Sequence, residues 1–234
     1  MGEHTVSSFD QELEEIDRLI LDMGVLAQRM VEDATNALLS ADERLASRVV
    51  AEDATMDAQQ RDVDARVITL IAKRQPMAQD LRAAVGALRM AGDLERIGDL
   101  AKNMAKRVNA VGRTPISGTL ATSIESMAQL VLDSVGAVLD HYVARDADAL
   151  EALRVEDEKI DIRYTAIFRE LLTYMMEDPR VITTCTHLLF CAKNLERIGD
   201  HVTNIAENAY YVSTGLQLPA KRPKRDETMA QPAA

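Results

Sequence analysis

The chain has 234 residues, 47% of them hydrophobic and 28% charged, with a formal net charge of −11. Its 38 acidic residues against 27 basic ones argue against a nucleic-acid or anionic-lipid binder, because such binders rely on Lys and Arg to neutralise phosphates. Two cysteines cannot build a disulfide framework, and 3% aromatic residues with no Trp leave little strand-forming sequence, so an all-α protein rich in Ala, Leu, Glu, Arg and Met is expected.

Apolar residues at three- and four-residue steps predict six helices, over 9–39, 43–74, 78–110, 117–144, 148–176 and 180–212. The stretch before and into the first helix carries Glu3, Asp10, Glu12, Glu14 and Glu15, with no apolar run behind a basic start, so no signal peptide is expected. The second helix carries Glu52, Asp53 and Asp57, and Pro76 follows its end. The third contains Leu94-Glu95-Arg96-Ile97-Gly98-Asp99 and then Asn103. Turn residues from Gly112 to Gly118, with Pro115 between them, mark the clearest break in the chain. The fifth helix carries Glu156, Asp157 and Asp161, and Pro179 separates it from the sixth. Cys185 and Cys191 sit on that last helix, about 9 Å apart along its axis and too far to bridge, which fits a reducing compartment. The end of the chain mixes Pro, Ala and the basic run Lys221-Arg222-Pro223-Lys224-Arg225, and reads as a solvated, disordered tail. No run of apolar residues is long enough to span a bilayer, so any membrane role is expected to pass through a partner.

The halves on either side of the break repeat each other. Leu94-Glu95-Arg96-Ile97-Gly98-Asp99 returns as Leu195-Glu196-Arg197-Ile198-Gly199-Asp200, and Asn103 returns as Asn204. Glu52-Asp53 with Asp57 returns as Glu156-Asp157 with Asp161, and Pro76 returns as Pro179. Each half then holds three helices of roughly 45 Å, and short connections make neighbours antiparallel. The expected architecture is a tandem repeat of two three-helix bundles, end to end or side by side. The first repeat covers 9–112 and the second 117–215, with 216–234 as the tail.

The repeated acids are the candidate site. With Glu196 at zero on a helical wheel, Asp200 lies about 40° round and Asn204 about 80°, while Leu195, Ile198, Val202 and Ile205 fall on nearly the opposite side. The same holds for Glu95, Asp99 and Asn103, so these acids are expected on an exposed or inter-helix face. Acids at i,i+4 repel one another. If the middle and last helices of a bundle are neighbours, Asp53, Asp57, Glu95 and Asp99 converge, as do Asp157, Asp161, Glu196 and Asp200. Carboxylates suit hard ions such as Mg²⁺, Ca²⁺, Mn²⁺ or iron. The bland alternative is a solvated acidic face, and duplication copies structural residues as faithfully as functional ones. Gly98 and Gly199 cost helix stability, and either a ligand or close helix packing explains them. Arg96 and Arg197 read as structural partners of nearby acids. His187 and Cys191 share a face but lack further zinc ligands, and His201 reads as a surface histidine. The chain has no P-loop, no nucleophile elbow, no His-Glu-x-x-His and no Glu-x-x-His, so nothing marks it as an enzyme.

The doubled Leu-Glu-Arg-Ile-Gly-Asp, with Leu172-Thr173-Tyr174-Met175-Met176-Glu177-Asp178-Pro179 and Leu189-Phe190-Cys191-Ala192-Lys193, resembles the PhoU family of phosphate-signalling regulators from about Phe9 to Gly215. The resemblance implies the tandem three-helix bundle and multinuclear iron or zinc clusters held on the bundle surface by acidic motifs. Carried over, those ligands are Asp53, Asp57, Glu95 and Asp99 in the first half and Asp157, Asp161, Glu196 and Asp200 in the second, with Asn103 and Asn204 as helpers. The first motif continues with Lys102 and Arg107 where the second has Thr203 and Asn208, so the two sites are expected to differ in metal affinity. The resemblance further implies a cytoplasmic homodimer at the inner side of a phosphate ABC transporter. There it would bind the transporter ATPase and a sensor histidine kinase, restraining phosphate uptake and the starvation response. Rival expectations are a metal-free helical scaffold and a metal-dependent enzyme of unknown type.

Overall fold

The computed structural model describes residues 2–112, 116 and 118–219, with side chains from Phe9 onward. Seven α-helices follow in order: α1 (Gly2–Ser40), α2 (Glu43–Arg74), α3 (Gln79–Ala105), the short α4 (Val108–Val111), α5 (Thr119–Ala144), α6 (Ala147–Glu177) and α7 (Ile182–Thr214). A 3₁₀ turn, Pro179–Val181, leads into α7. Residues 216–219 are irregular, and the rest of the expected tail, with Lys221 to Arg225, lies outside the described residues.

The turns explain where the long helices stop. Ala41 and Arg145 take left-handed conformations (φ 57° and 53°), and an aspartate follows each. Asp42 accepts from the backbone N–H groups of Arg44 and Leu45, and Asp146 accepts from that of Ala149, so each aspartate caps the next helix. The same device thus serves the equivalent turn of each half. At the end of α2, Gln75 is also left-handed (φ 49°), its N–H bonds to the Ile71 carbonyl, and Pro76 blocks continuation.

One expected helix divides. The periodicity over 78–110 predicts a single element, but the chain tightens after Ala105, where the Arg107 N–H bonds three residues back to Met104. No glycine or proline marks this bend. Val108 and Val111 remain buried beyond it, so the apolar pattern runs on unbroken.

Helices α1, α2 and α3 pack together as one bundle, and α5, α6 and α7 as the other. The bundles lie side by side, joined along α3–α7 and α1–α5. Their apolar side chains form one continuous buried cluster, from Ile16 and Met30 through Leu94 and Ile97 to Ile198 and Ile205. Close approach makes this possible. A Cβ on Gly24 of α1 would stand 2.3 Å from Leu139 of α5, and one on Gly86 of α3 would stand 2.3 Å from Val212 of α7. Tyr142 of α5 also donates to the Asp17 carboxylate of α1 across the junction, at 2.5 Å. Among the described residues, no helix is long and apolar enough to cross a membrane.

Candidate metal centres

Because α2 packs on α3 and α6 on α7, acids of both helices meet along one inter-helix groove in each half: Glu95 senses Asp99, Asp57 and Asp53, and Glu196 senses Asp200 and Asp161. The two grooves differ in charge balance and in depth.

In the first half a lysine already sits among the acids. Lys102 Nζ lies 2.7 Å from Asp53 Oδ2 and 2.5 Å from Asp99 Oδ1. Burial opposes the charge on this ammonium, but its bonds to Asp53 and Asp99 outweigh that and push its pKa up to about 12. Arg96 adds a second cation, 3.1 Å from Asp99 and 3.5 Å from Glu95. Burial raises the Glu95 pKa, and Asp99, Asp57 and Asp53 add to the rise, so the four carboxylates do sense one another. Arg29 pairs with the neighbouring Glu52 at 3.2 Å.

In the second half the position of Lys102 is taken by Thr203, whose hydroxyl donates to the Gly199 carbonyl of its own helix. The acids lie deeper than expected. Asp157, Asp161 and Glu196 are only 5%, 2% and 4% exposed, so the expectation of a surface cluster fails for this set. The wheel placed the acids opposite the apolar stripe correctly, but α6 lies over that face and buries it. Lys193 pairs with Glu196 Oε1 at 2.8 Å. The other oxygen, Glu196 Oε2, is buried with no hydrogen-bond partner. Burial raises the Glu196 pKa, and Asp200 and Asp161 add to the rise against the pull of Lys193.

The two motif glycines now separate. A Cβ on Gly199 would stand 2.8 Å from Asp157 Oδ1 and 3.0 Å from Ile160, so glycine is what lets the Asp157 carboxylate lie against α7. A Cβ on Gly98 would meet only the flexible Met56 and Met30 side chains, at 3.1 Å and beyond. Close helix packing accounts for Gly98, and close approach of a candidate ligand accounts for Gly199.

Tested against a hard cation, the second set fits in donor chemistry. It offers carboxylate oxygens, and one of them is buried without a proton donor. Among the described residues, no group of three or more His, Cys, Asp or Glu side chains is arranged to hold a metal as it stands. The first set fits less well, because Lys102 and Arg96 already offset part of its negative charge.

Other residues depart from their expected roles. His201 is not a free surface histidine: its Nδ1 lies 2.9 Å from Asp93 of α3, which also accepts from Asn204 at 3.3 Å. Asn204 is therefore turned to the α3–α7 crossing. Arg197 makes no ion pair among the described residues, unlike Arg96, and lines a groove with Arg107 and Phe190. The Cys191 thiol is fully buried, its pKa pushed up to about 12 by burial, which fits an inert core residue.

Comparison with known proteins follows the same duplication. A model of the PhoU domain family matches the chain twice, over residues 20–108 and 124–209. The chain is 53% identical over 225 residues to a phosphate-specific transport system accessory protein PhoU homolog of Rhizobium meliloti (strain 1021), covering 96% of this chain and 95% of that protein. It is 47% identical over 226 residues to the protein of the same description from Caulobacter vibrioides (strain NA1000 / CB15N), covering 97% and 98%. Among solved structures, PhoU from Pseudomonas aeruginosa superposes with a TM-score of 0.84 at 36% identity, over 89% of this chain and 100% of that one. The phosphate transport system regulatory protein PhoU from Streptococcus pneumoniae gives 0.83 at 27% identity, over 90% and 99%.

Proposed function

The chain belongs to the PhoU family, and from that premise we propose that it is a regulatory accessory protein of a phosphate-specific transport system, acting by binding rather than catalysis. The observation that carries this reading is the double match of the family domain along a chain that keeps both bundles and aligns nearly end to end with accessory proteins of that system. The relatives supply the role, and the side-by-side bundles supply a broad helical surface for it.

The finer reading has three parts. The chain docks in the cytoplasm on the transporter's ATPase and on a sensor histidine kinase. It restrains phosphate uptake and the starvation response when phosphate is plentiful. It works as a homodimer. The acidic charge supports protein partners over nucleic acid.

Asp157, Asp161, Glu196 and Asp200 are the residues we propose to hold a metal ion, with iron or zinc favoured by family resemblance and Mg²⁺, Mn²⁺ or Ca²⁺ suited by chemistry. Bound there, a cation would neutralise like charges between α6 and α7. Gly199 gives Asp157 room, and Lys193 holds one oxygen of Glu196. In the first set Lys102 already supplies positive charge to Asp53 and Asp99, with Glu95 and Asp57 completing the group.

The binding reading is tested by retrieving the affinity-tagged chain from detergent-solubilised cells of its own host, grown in phosphate-rich medium. Enrichment of the phosphate transporter ATPase and a sensor histidine kinase over a tag-only control is the expected result. Recovery of neither, at a tag level that complements the deletion, would count against docking.

A further inference from the structure

The duplication produces a second pair of features beside the acidic sites. On each side of the α3–α7 crossing lies a groove, and the two are related by the repeat. Residues 101 positions apart take equivalent places, as Glu95 and Glu196 do. One groove, about 550 Å³, runs between the end of α3 with α4 and the first half of α7. Its mate, about 710 Å³, runs between the middle of α3 and the last half of α7.

The grooves have diverged in charge. Lys106 in the first stands where Glu207 stands in the second, Arg107 where Asn208 stands, and Asn194 where Asp93 stands. In the mate groove the acids have partners from outside its lining, beside Arg89 and Arg96 within it: Glu207 pairs with Arg154 at 3.0 Å, and Asp93 Oδ1 lies 2.9 Å from His201 Nδ1. The first groove holds Lys106, Arg107 and Arg197 with no carboxylate among its lining residues, on a chain whose net charge is −11. Neither Lys106 nor Arg197 makes an ion pair among the described residues.

Arg107 is held in place. Its guanidinium lies 4.3 Å over the Phe190 ring, and its Nη1 lies 3.1 Å from His187 Nδ1. Arginine only donates, so Nδ1 accepts and the imidazole is neutral with its proton on Nε2, a further donor. The Arg107 Nε is buried and has no hydrogen-bond partner.

We propose that this basic groove binds a small phosphate-bearing anion. Three cations kept close together without a counter-charge repel one another, and a phosphate dianion relieves that repulsion. Planar guanidinium groups match its oxygens in forked pairs. The volume exceeds that of a bare ion and falls in the range of small-molecule sites, so an organic group carried on the phosphate also has room. The inference goes beyond the accessory role and rests on the groove alone.

The test is calorimetric titration of the full chain, at low ionic strength, with inorganic phosphate and separately with ADP. Saturable binding of at least one probe is expected. Arg107→Gln and the more exposed Arg197→Gln should each weaken it by about tenfold or more, the loss of one charge-assisted contact. Arg89→Gln, in the mate groove, should change it by less than about twofold. Equal or tighter binding of inorganic phosphate assigns the groove to the free ion, and tighter binding of ADP assigns it to a phosphate ester. No saturable binding of either probe would overturn the proposal, as would equal weakening by Arg89→Gln and Arg197→Gln.

Discussion

Lys102 and Thr203 hold the same place in two copies of one helix, and they set the character of the carboxylates beside them. Lys102 ties Asp53 to Asp99, whereas Thr203 turns back to its own backbone. Lys102→Thr should therefore make the first site resemble the second. In chelator the variant should lose about 1–3 kcal/mol, the cost of leaving the partly buried Asp53 without its donor while Asp99 keeps only Arg96. Added Mg²⁺ or Mn²⁺ should restore more stability to the variant than to the parent chain, read from urea unfolding midpoints. Glu196 gives a pH signature. Burial raises its native pKa above the ordinary glutamate value of 4.5, so the folded state holds its proton more tightly than the unfolded chain. Its favourable contribution is complete below pH 4.5 and is lost as pH rises through the raised native value. Glu196→Gln should flatten that part of the stability profile and gain on the parent chain toward neutral pH. An unchanged slope in the variant would show that Glu196 ionises freely.

At the scale of elements, the crossing of α3 on α7 is where the repeat meets itself. Gly86 allows it, because a Cβ there would strike the stiff, β-branched Val212. Gly86→Ala should cost about 1–3 kcal/mol by overpacking, visible as a lower thermal midpoint with helicity at low temperature unchanged. The helices and the duplication were legible in the sequence, since each rests on periodicity or on repeated residues, whereas the pairing of middle with last helices entered only as a condition. The bend at Lys106–Arg107 was not, because the apolar pattern continues through Val108 and Val111 and no breaker residue interrupts it. The depth of Asp157, Asp161 and Glu196 was not legible either. A wheel shows which way a side chain points, and burial depends on what is packed against that face. The Lys102 bridge was half visible: the sequence gives its i,i+3 spacing to Asp99, while Asp53 comes from another helix. The basic groove needed the tertiary contact that brings Arg107 to His187 and Phe190, eighty or more residues away.

For the molecule as a whole, one buried cluster and two inter-bundle seams make the tandem a single packed body. Its two acidic grooves differ in built-in cation, and its two crossing grooves differ in charge, one basic and the other mixed, so the duplicated halves present unlike surfaces. The proposed role is regulation of phosphate uptake and signalling. The most direct measurement is to delete the gene and follow a phosphate-starvation reporter together with phosphate uptake in phosphate-rich medium, with the parent gene returned on a plasmid. A reporter switched on, or uptake no longer restrained, with reversal by the returned gene, is the expected result. Reporter and uptake both unchanged by the deletion, in a host without a second copy of the family, would contradict it.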